Sequence, residues 1–338
     1  MDNRQSAVGG RHKVNFCDVI SLENLLVAWK EFRRGKRSKR DVAEFELHLE
    51  ENLFALHREL VYGAWKPDPY TAFCVQDPKL RLIHKASVRD RVLYQAVYSS
   101  LYFLFDDGFI HDSYSSRNGK GTHRAVTRFE SFARKVTKNS RKQGFALKCD
   151  IKKFFDSVDH KVLLFLVARK VSDLKLFELI KKIVASFQVS DSKGLPLGNV
   201  TSQLFANIYL NELDQFAKHR LKTKHYIRYC DDIVILDDSH HHLEVYILEL
   251  QRFLGEKLYL ELHPRKIEIR KLHQGVDFLG YVSLPHYKVL RTRTARRIIR
   301  LVSLKSLASY HGVLSHCSGF RLQNRILKIC GRDVTIEP

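Results

Sequence analysis

Acidic residues set inside strand-like apolar sequence constrain this chain more than any other feature. One run is Phe145-Ala146-Leu147-Lys148-Cys149-Asp150-Ile151, which alternates as a strand does. The other is Tyr229-Cys230-Asp231-Asp232-Ile233-Val234-Ile235-Leu236. An ionised carboxylate in such company costs several kcal/mol unless it is paired or bound to metal, so each demands a partner. Three carboxylates from two strands meeting at one point would repel one another, and a divalent cation is the usual resolution. Two Mg²⁺ ions about 3.5–4 Å apart clamp the attacking and leaving oxygens of an in-line phosphoryl transfer. Taken alone, Asp231-Asp232 also reads as a plain turn, because Asp is common in turns.

The charge balance points to a partner class. Lys and Arg number 58 against 37 Asp and Glu, a formal charge of +21 before any of the 17 His protonates. No single amphipathic Lys/Arg helix dominates, so the excess reads as nucleic-acid binding and not as a membrane-surface effect. Residues 30–40 form one basic cluster; from Lys288 onward eleven Lys and Arg face only Asp333 and Glu337. The six cysteines are scattered without a C-x-x-C pair, which argues against a zinc cluster and a disulfide framework and for reduced, cytosolic thiols. His240-His241-His242 reads as a solvated helix start, since three consecutive helical residues point three ways. No run approaches about 18 apolar residues, and Met1-Asp2-Asn3-Arg4-Gln5 lacks the apolar core of a signal peptide. The expectation is a cytoplasmic protein without a membrane partner. At 338 residues and 44% hydrophobic, the chain is long enough for two or three folded lobes.

Val42, Phe45, Leu49, Leu53, Leu56 and Leu60 recur at helical spacing and predict one amphipathic helix, stopped by Pro67 and Pro69. Residues 73–75 and 80–83 predict a hairpin around Asp77-Pro78. Helices are expected over 90–102, 122–138, 160–170, 173–187, 200–221 and 241–254. A hairpin over 226–236 is hinged at Cys230-Asp231, a strand covers 257–262, and a hairpin-like stretch lies at 278–281. The tail, 294–307 and 319–329, reads as helices.

Several motifs in one order give these residues a family likeness. Over roughly residues 75–285 the chain resembles a reverse transcriptase, the fingers and palm of the right-handed polymerase fold. Tyr229-Cys230-Asp231-Asp232 is similar to the family's Tyr-x-Asp-Asp hairpin, and Asp150-Ile151-Lys152-Lys153-Phe154-Phe155-Asp156 to its first metal-binding motif. Gly194-Leu195-Pro196-Leu197-Gly198 to Asn207 resembles the loop and helix under the templating pair. Lys79-Leu80-Arg81 and Arg89-Asp90-Arg91 resemble the fingers segment that holds the triphosphate. His263-Pro264-Arg265-Lys266 and Phe278-Leu279-Gly280-Tyr281 look like the closing palm motifs, the second being the primer grip.

The resemblance implies an α+β chain with fingers, a palm of antiparallel sheet plus helices, and a small helical thumb. Its divisions are a basic N-terminal extension (1–40), fingers with the start of the palm (41–145), palm (146–285) and thumb (286–338). It implies that Asp150, Asp231, Asp232 and the Ile151 carbonyl hold two Mg²⁺ ions, with Mn²⁺ as a substitute. Lys79 and Arg81 neutralise the triphosphate. Phe155 lies beneath the incoming sugar and excludes a 2′-OH. Lys266 either protonates the leaving pyrophosphate or screens phosphate charge. Leu197, Gly198 and Gln203 flank the nascent pair. Tyr229, Phe278, Leu279 and Gly280 seat the primer, and Arg291, Arg293, Arg296, Arg297 and Arg300 grip duplex phosphates.

Where intron and retron relatives carry Gln-Gly and Ser-Pro, this chain has Leu197-Gly198 and Ser202-Gln203. That pattern resembles the reverse transcriptases of diversity-generating retroelements, which copy a template-repeat RNA into cDNA with errors at adenines. The implied partners are template RNA, the RNA/cDNA duplex, dNTPs and a small basic accessory protein forming an oligomeric barrel. About 50 residues after the primer grip leave room for a thumb, so no maturase, endonuclease or RNase H region is expected. The competing readings are a retron-like enzyme of ordinary fidelity and a catalytically silent RNA-binding scaffold; the latter predicts losses among the three aspartates, all of which are present.

Overall fold

The structure, a computed structural model, describes residues 14–76 and 80–331. Along the chain run helices α1 (Phe16–Ile20), α2 (Leu22–Phe32), α3 (Arg40–Leu47) and α4 (Leu49–Val61), then strands β1 (Thr71–Gln76) and β2 (Leu80–Lys85). Helices α5 (Val88–Asp106) and α6 (Thr122–Val136) precede β3 (Phe145–Asp150). There follow α7 (Phe154–Ser157), α8 (His160–Ala168), α9 (Leu174–Ala185), α10 (Val200–Gln215), β4 (His225–Tyr229), β5 (Asp232–Asp237) and α11 (His240–Leu258). The last elements are β6 (Glu268–Lys271), β7 (Val276–Phe278), β8 (Tyr281–Ser283), β9 (Lys288–Leu290), α12 (Thr292–Leu301), α13 (Leu307–Leu314) and α14 (Phe320–Ile329). All strand pairs are antiparallel, so the chain has the expected α+β class. No helix among the described residues is long and apolar enough to cross a membrane.

Two compact units emerge, each assembled from separate stretches of chain. The first comprises the described parts of Met1–Ile110 with Lys152–Gln215 and Phe253–Glu261. Its axis is α5, which Ser87 caps by accepting the Asp90 N–H at 3.2 Å. Leu93, Tyr94, Val97 and Leu101 are buried around that helix, which packs on α2 and α10. The β1–β2 hairpin of this unit is a two-stranded sheet whose first strand is exposed at every residue, Cys74 included.

The second unit comprises His111–Ile151, Phe216–Arg252 and the described part of Leu262–Pro338. Its four-stranded sheet has the order β4-β5-β3-β6, and β7-β8-β9 form a separate three-stranded sheet. Helix α6 lays Ala125, Val126, Phe129 and Phe132 on a core with Ala146, Ile227, Val234 and Leu236. Phe278 joins that core, its ring 5.7 Å from Phe129.

Some expected elements differ in form. The stripe over Val42 to Leu60 is split at His48, whose φ of −119° and ψ of 38° leave the helix. Phe45 meets Trp29 at 5.1 Å on one side of the break, while Leu53, Leu56 and Leu60 are buried on the other. Residues 257–262 form no strand. Helix α11 continues to Leu258, Tyr259 takes φ +51°, and one isolated bridge joins Leu262 to Ile151. The long helix expected over 200–221 ends as α10 and passes into a π-helical turn, Phe216–Arg220, where the Ala217 carbonyl accepts both the Thr223 N–H and its hydroxyl. In the tail, a Ser303–Ser306 turn divides α12 from α13. Strands β6 and β9 have too short an alternation to be seen in sequence.

Candidate active site

The second unit brings the acidic residues of two strands together. Strand β3 lies between β5 and β6, and its register with β5 sets Asp150 directly opposite Asp232. Side chains opposite one another in an antiparallel pair share a face about 4.5–5.5 Å apart, where like charges destabilise the sheet. The same register pairs Tyr229 with Asp232 across β4 and β5, leaving Cys230 and Asp231 as a two-residue turn. Cys230 has φ +56°, at the loop position where hairpin turns favour glycine. The Ile151 N–H donates to the Asp231 carbonyl at 3.3 Å, and the His263 N–H to the Asp150 carbonyl at 2.7 Å.

Electrostatics mark this corner. Burial, then repulsion from Asp231 and Asp150, pushes Asp232 up to about 6. Asp231 is raised too, by burial first, with Asp150 adding to it. Lys266, in the 3₁₀ turn Pro264–Lys266, places its ammonium 2.7 Å from Asp150 Oδ1. Burial pushes the thiols of Cys149 and Cys230 up to about 12, Asp231 adding to the effect at Cys230.

A cleft of about 480 Å³ opens beside these groups, lined among others by Asp150, Asp232, Lys266, Phe278, Leu279 and Arg291. Leu279 and Gly280 make its turn with φ +50° and +92°, whereas the Phe278 ring belongs to the core. Arg291 pairs with Asp277 at 2.5 Å. Arg293, Arg296 and Arg300 are exposed on α12, whose Ile298 is buried; Arg297 is half-buried.

Among the described residues, no three His, Cys, Asp or Glu side chains form a ready-made metal shell. The Lys266 ammonium neutralises Asp150 instead. The donor set nevertheless fits a hard divalent cation, because burial, with repulsion from neighbouring carboxylates added to it, raises Asp231 and Asp232, and carboxylate oxygens are what Mg²⁺ prefers.

The first unit holds the other expected site residues. Phe155 is half-buried on α7, 5.3 Å edge-on from Phe154, and its carbonyl accepts the Leu195 N–H at 2.7 Å. The loop that follows Leu195 meets β2, where the half-buried Leu197 accepts the His84 N–H at 3.3 Å. Gly198 has φ +114°, and a Cβ there would stand 3.1 Å from Ile83 Cγ2. Gln203 on α10 and Arg81 on β2 are exposed; Lys79 lies outside the described residues.

The family described as reverse transcriptase (RNA-dependent DNA polymerase) matches residues 67–283. The chain belongs to the reverse transcriptase family. Among similar proteins, Protein YkfC of Escherichia coli (strain K12) is 25% identical over 299 residues, covering 76% of each chain. The Group II intron-encoded protein LtrA of Lactococcus lactis subsp. cremoris is 23% identical over 319 residues; 73% of this chain matches 51% of LtrA, so the match spans about half of that relative. The structure of apo telomerase from Candida tropicalis, truncated from the C-terminal domain, aligns with a TM-score of 0.50 at 12% identity, over 72% of this chain and 60% of that one. That likeness shows the polymerase fold.

Reverse transcriptases are RNA-directed DNA polymerases and use divalent metal ions, in keeping with the acidic corner. Sequence reasoning passed over what braces this corner. Arg228 is fully buried, with Nη1 3.1 Å from the Cys230 carbonyl and Nη2 3.0 Å from Ser113 Oγ. The Tyr229 hydroxyl lies 3.1 Å from that of Thr122. The signal for Arg228 was present, a charge inside an apolar strand, the same argument that singled out Asp150. Ser113 and Thr122 carry no such signal, since only the fold brings them near.

Proposed function

We propose that this reverse transcriptase is of the error-prone, diversity-generating type, copying a template-repeat RNA into cDNA with mutations at template adenines. The observation that carries this reading is the run Leu197-Gly198-Asn199-Val200-Thr201-Ser202-Gln203, with Leu in place of Gln and Ser-Gln in place of Ser-Pro. A Gln there can hydrogen-bond near the templating pair, whereas Leu offers only shape. One such bond contributes about 0.5–1.5 kcal/mol, roughly two- to tenfold in the choice between right and wrong base. Adenine selectivity itself has another source, because an apolar side chain cannot read which template base is present.

In this reading Asp150, Asp231, Asp232 and the Ile151 carbonyl hold Mg²⁺, or Mn²⁺ in its place, which when bound supplies charge neutralisation to the attacking and leaving oxygens. Lys79 and Arg81 orient the triphosphate, and Phe155 rejects the ribose hydroxyl. Lys266, released from Asp150, donates a proton to or screens the pyrophosphate. Tyr229 and the Phe278-Leu279-Gly280 turn seat the primer end. The arginines of α12 hold duplex phosphates without reading sequence. Residues 41–145, 146–285 and 286–338 then serve as fingers, palm and thumb. The enzyme works in a prokaryotic cytoplasm with template RNA and a small basic barrel protein. Both surfaces are basic, so either RNA bridges the two or a local acidic patch on one matches the other.

Sequencing cDNA made by the purified protein on a defined RNA tests this. Errors concentrated opposite adenine, lowered several-fold by Leu197→Gln, support it. Errors spread evenly over the four bases overturn it in favour of an intron- or retron-type enzyme, the reading to which the likeness to LtrA points.

A further inference from the structure

We propose that Arg228 is a positioning residue of the polymerase site, a buried clamp that sets the direction of Asp231. The inference rests on the reading that Asp231 and Asp232 carry the chemistry.

A guanidinium withdrawn from water is strongly unfavourable unless its N–H groups find acceptors. Arg228 is 0% exposed, between Ile227 at 0% and the turn. Its backbone is fixed from one side: the Arg228 N–H donates to the Asp112 carbonyl at 3.0 Å, and the Tyr114 N–H donates to the Arg228 carbonyl at 2.9 Å. The segment around Ser113 thus forms a short parallel bridge beside β4. With the backbone held there, the side chain donates to Ser113 Oγ and to the Cys230 carbonyl, among other interactions. Ser113 is itself fully buried.

The second bond is the informative one. The Cys230 carbonyl and the Asp231 N–H belong to one planar peptide, so a donor on the carbonyl fixes that plane and, with it, where Asp231 leaves the turn. Cys230 holds φ +56°, a conformation that side chains other than glycine rarely adopt. Such a residue persists when its surroundings determine it. Arg228 supplies that determination from below, with a planar fork able to serve two acceptors at once. A Lys at this position could reach one acceptor or the other, and as a single point charge would not fix the plane.

The test uses the full chain and four measurements: single-turnover nucleotide addition, Mn²⁺ affinity from the EPR signal of free Mn²⁺, template–primer affinity, and Tm. Arg228→Lys is expected to slow addition about 100-fold, the scale of a small misplacement of a reacting group, and to weaken Mn²⁺ binding while template–primer affinity holds. Ser113→Ala, which leaves the guanidinium in place and loosens one anchor, should slow addition several-fold, and it decides the matter alone if Arg228→Lys fails to fold. The readout that a merely structural role would not move is a cycle with the turn. Cys230→Ala and Cys230→Gly both lack the thiol and differ in the cost of positive φ. Loosening the clamp should cost several-fold less in the Cys230→Gly background than in the Cys230→Ala background. An equal loss in both, or unchanged addition and Mn²⁺ affinity in the Arg228 and Ser113 variants, overturns the proposal. Asp231→Ala run alongside separates the two levels: if it still polymerises, the reading of the aspartates has failed, and if it is dead beside unaffected clamp variants, the clamp alone has failed.

Discussion

Two of the molecule's hairpins, β1–β2 and β4–β5, are similar in length and opposite in construction. In β4–β5, Tyr226, Ile227 and Arg228 and residues 233–236 are at most 1% exposed. In β1–β2, Phe73 is 44%, Leu80 68% and Leu82 49% exposed, and the two strands pair only with each other. An isolated two-stranded ribbon is marginal in water, because its ladder alone does not offset the entropy of ordering it. Burial, together with the further pairing of β5 with β3, is therefore what gives the aspartate hairpin one form. The outer hairpin is packed at one end, where Ile83 and His84 meet the Leu197-Gly198 loop, and exposed along the rest, which suits the proposed role of Arg81, an element that adjusts to each incoming nucleotide.

The widest gap between the hairpins should appear in chemistry. Asp231→Ala is expected to lower single-turnover addition by several orders of magnitude with Tm and template–primer affinity nearly unchanged; substantial residual synthesis would remove the contrast altogether. Stability comes next. Ile235→Ala, emptying a site 1% exposed, should cost about 2–5 kcal/mol in urea unfolding, while Leu82→Ala on the outer hairpin stays within about 0.5 kcal/mol. Equal costs would mean that the outer hairpin has a core contact after all.

A smaller effect is expected at Arg81. Losing its charge-assisted bonds should raise the KM for dNTP about tenfold with kcat and stability little altered. A fall in kcat at unchanged KM would move Arg81 from binding to the chemical step. The smallest effect is a pH dependence beneath the buried hairpin. Burial alone would raise Asp112, but the Arg128 guanidinium at 2.8 Å, with His111 and Lys218, holds it below the usual carboxylate value. Stability from a depressed carboxylate is present above its unfolded pKa and lost as pH falls through the folded one. Tm should therefore decline below about pH 4, and Asp112→Asn should flatten that part of the acid slope. An unchanged slope would show that the pair does not brace β4.

The aspartate strands were legible because Phe145 to Asp150 and Ile233 to Leu236 combine strand patterning with a charge that needs an explanation. Other patterns were real and misleading. Leu258, Leu260 and Leu262 alternate and are all buried, yet the first ends a helix and the last makes a single bridge, because burial of alternate residues does not require a neighbouring strand. The Val42 to Leu60 stripe survives a break at His48 for a similar reason: two helices can bury one face together. Arg228 could have been found by its own charge. Its acceptor Ser113 could not, because a sequence separation of 115 residues leaves no local trace.

Four of the six cysteines divide along the same line as the hairpins, and Cys317 and Cys330 are half-buried elsewhere. Cys149 and Cys230, with thiols near 12, have almost no thiolate at neutral pH and so resist alkylation and oxidation beside the aspartates. Cys74 stands exposed on β1, and Cys17 is exposed elsewhere in the same unit. With Cys17, Cys317 and Cys330 replaced by Ser, a maleimide fluorophore would mark the outer hairpin at Cys74 in preference to the turn that carries Asp231, so the chain carries its own attachment point for watching one hairpin respond to nucleotide in real time.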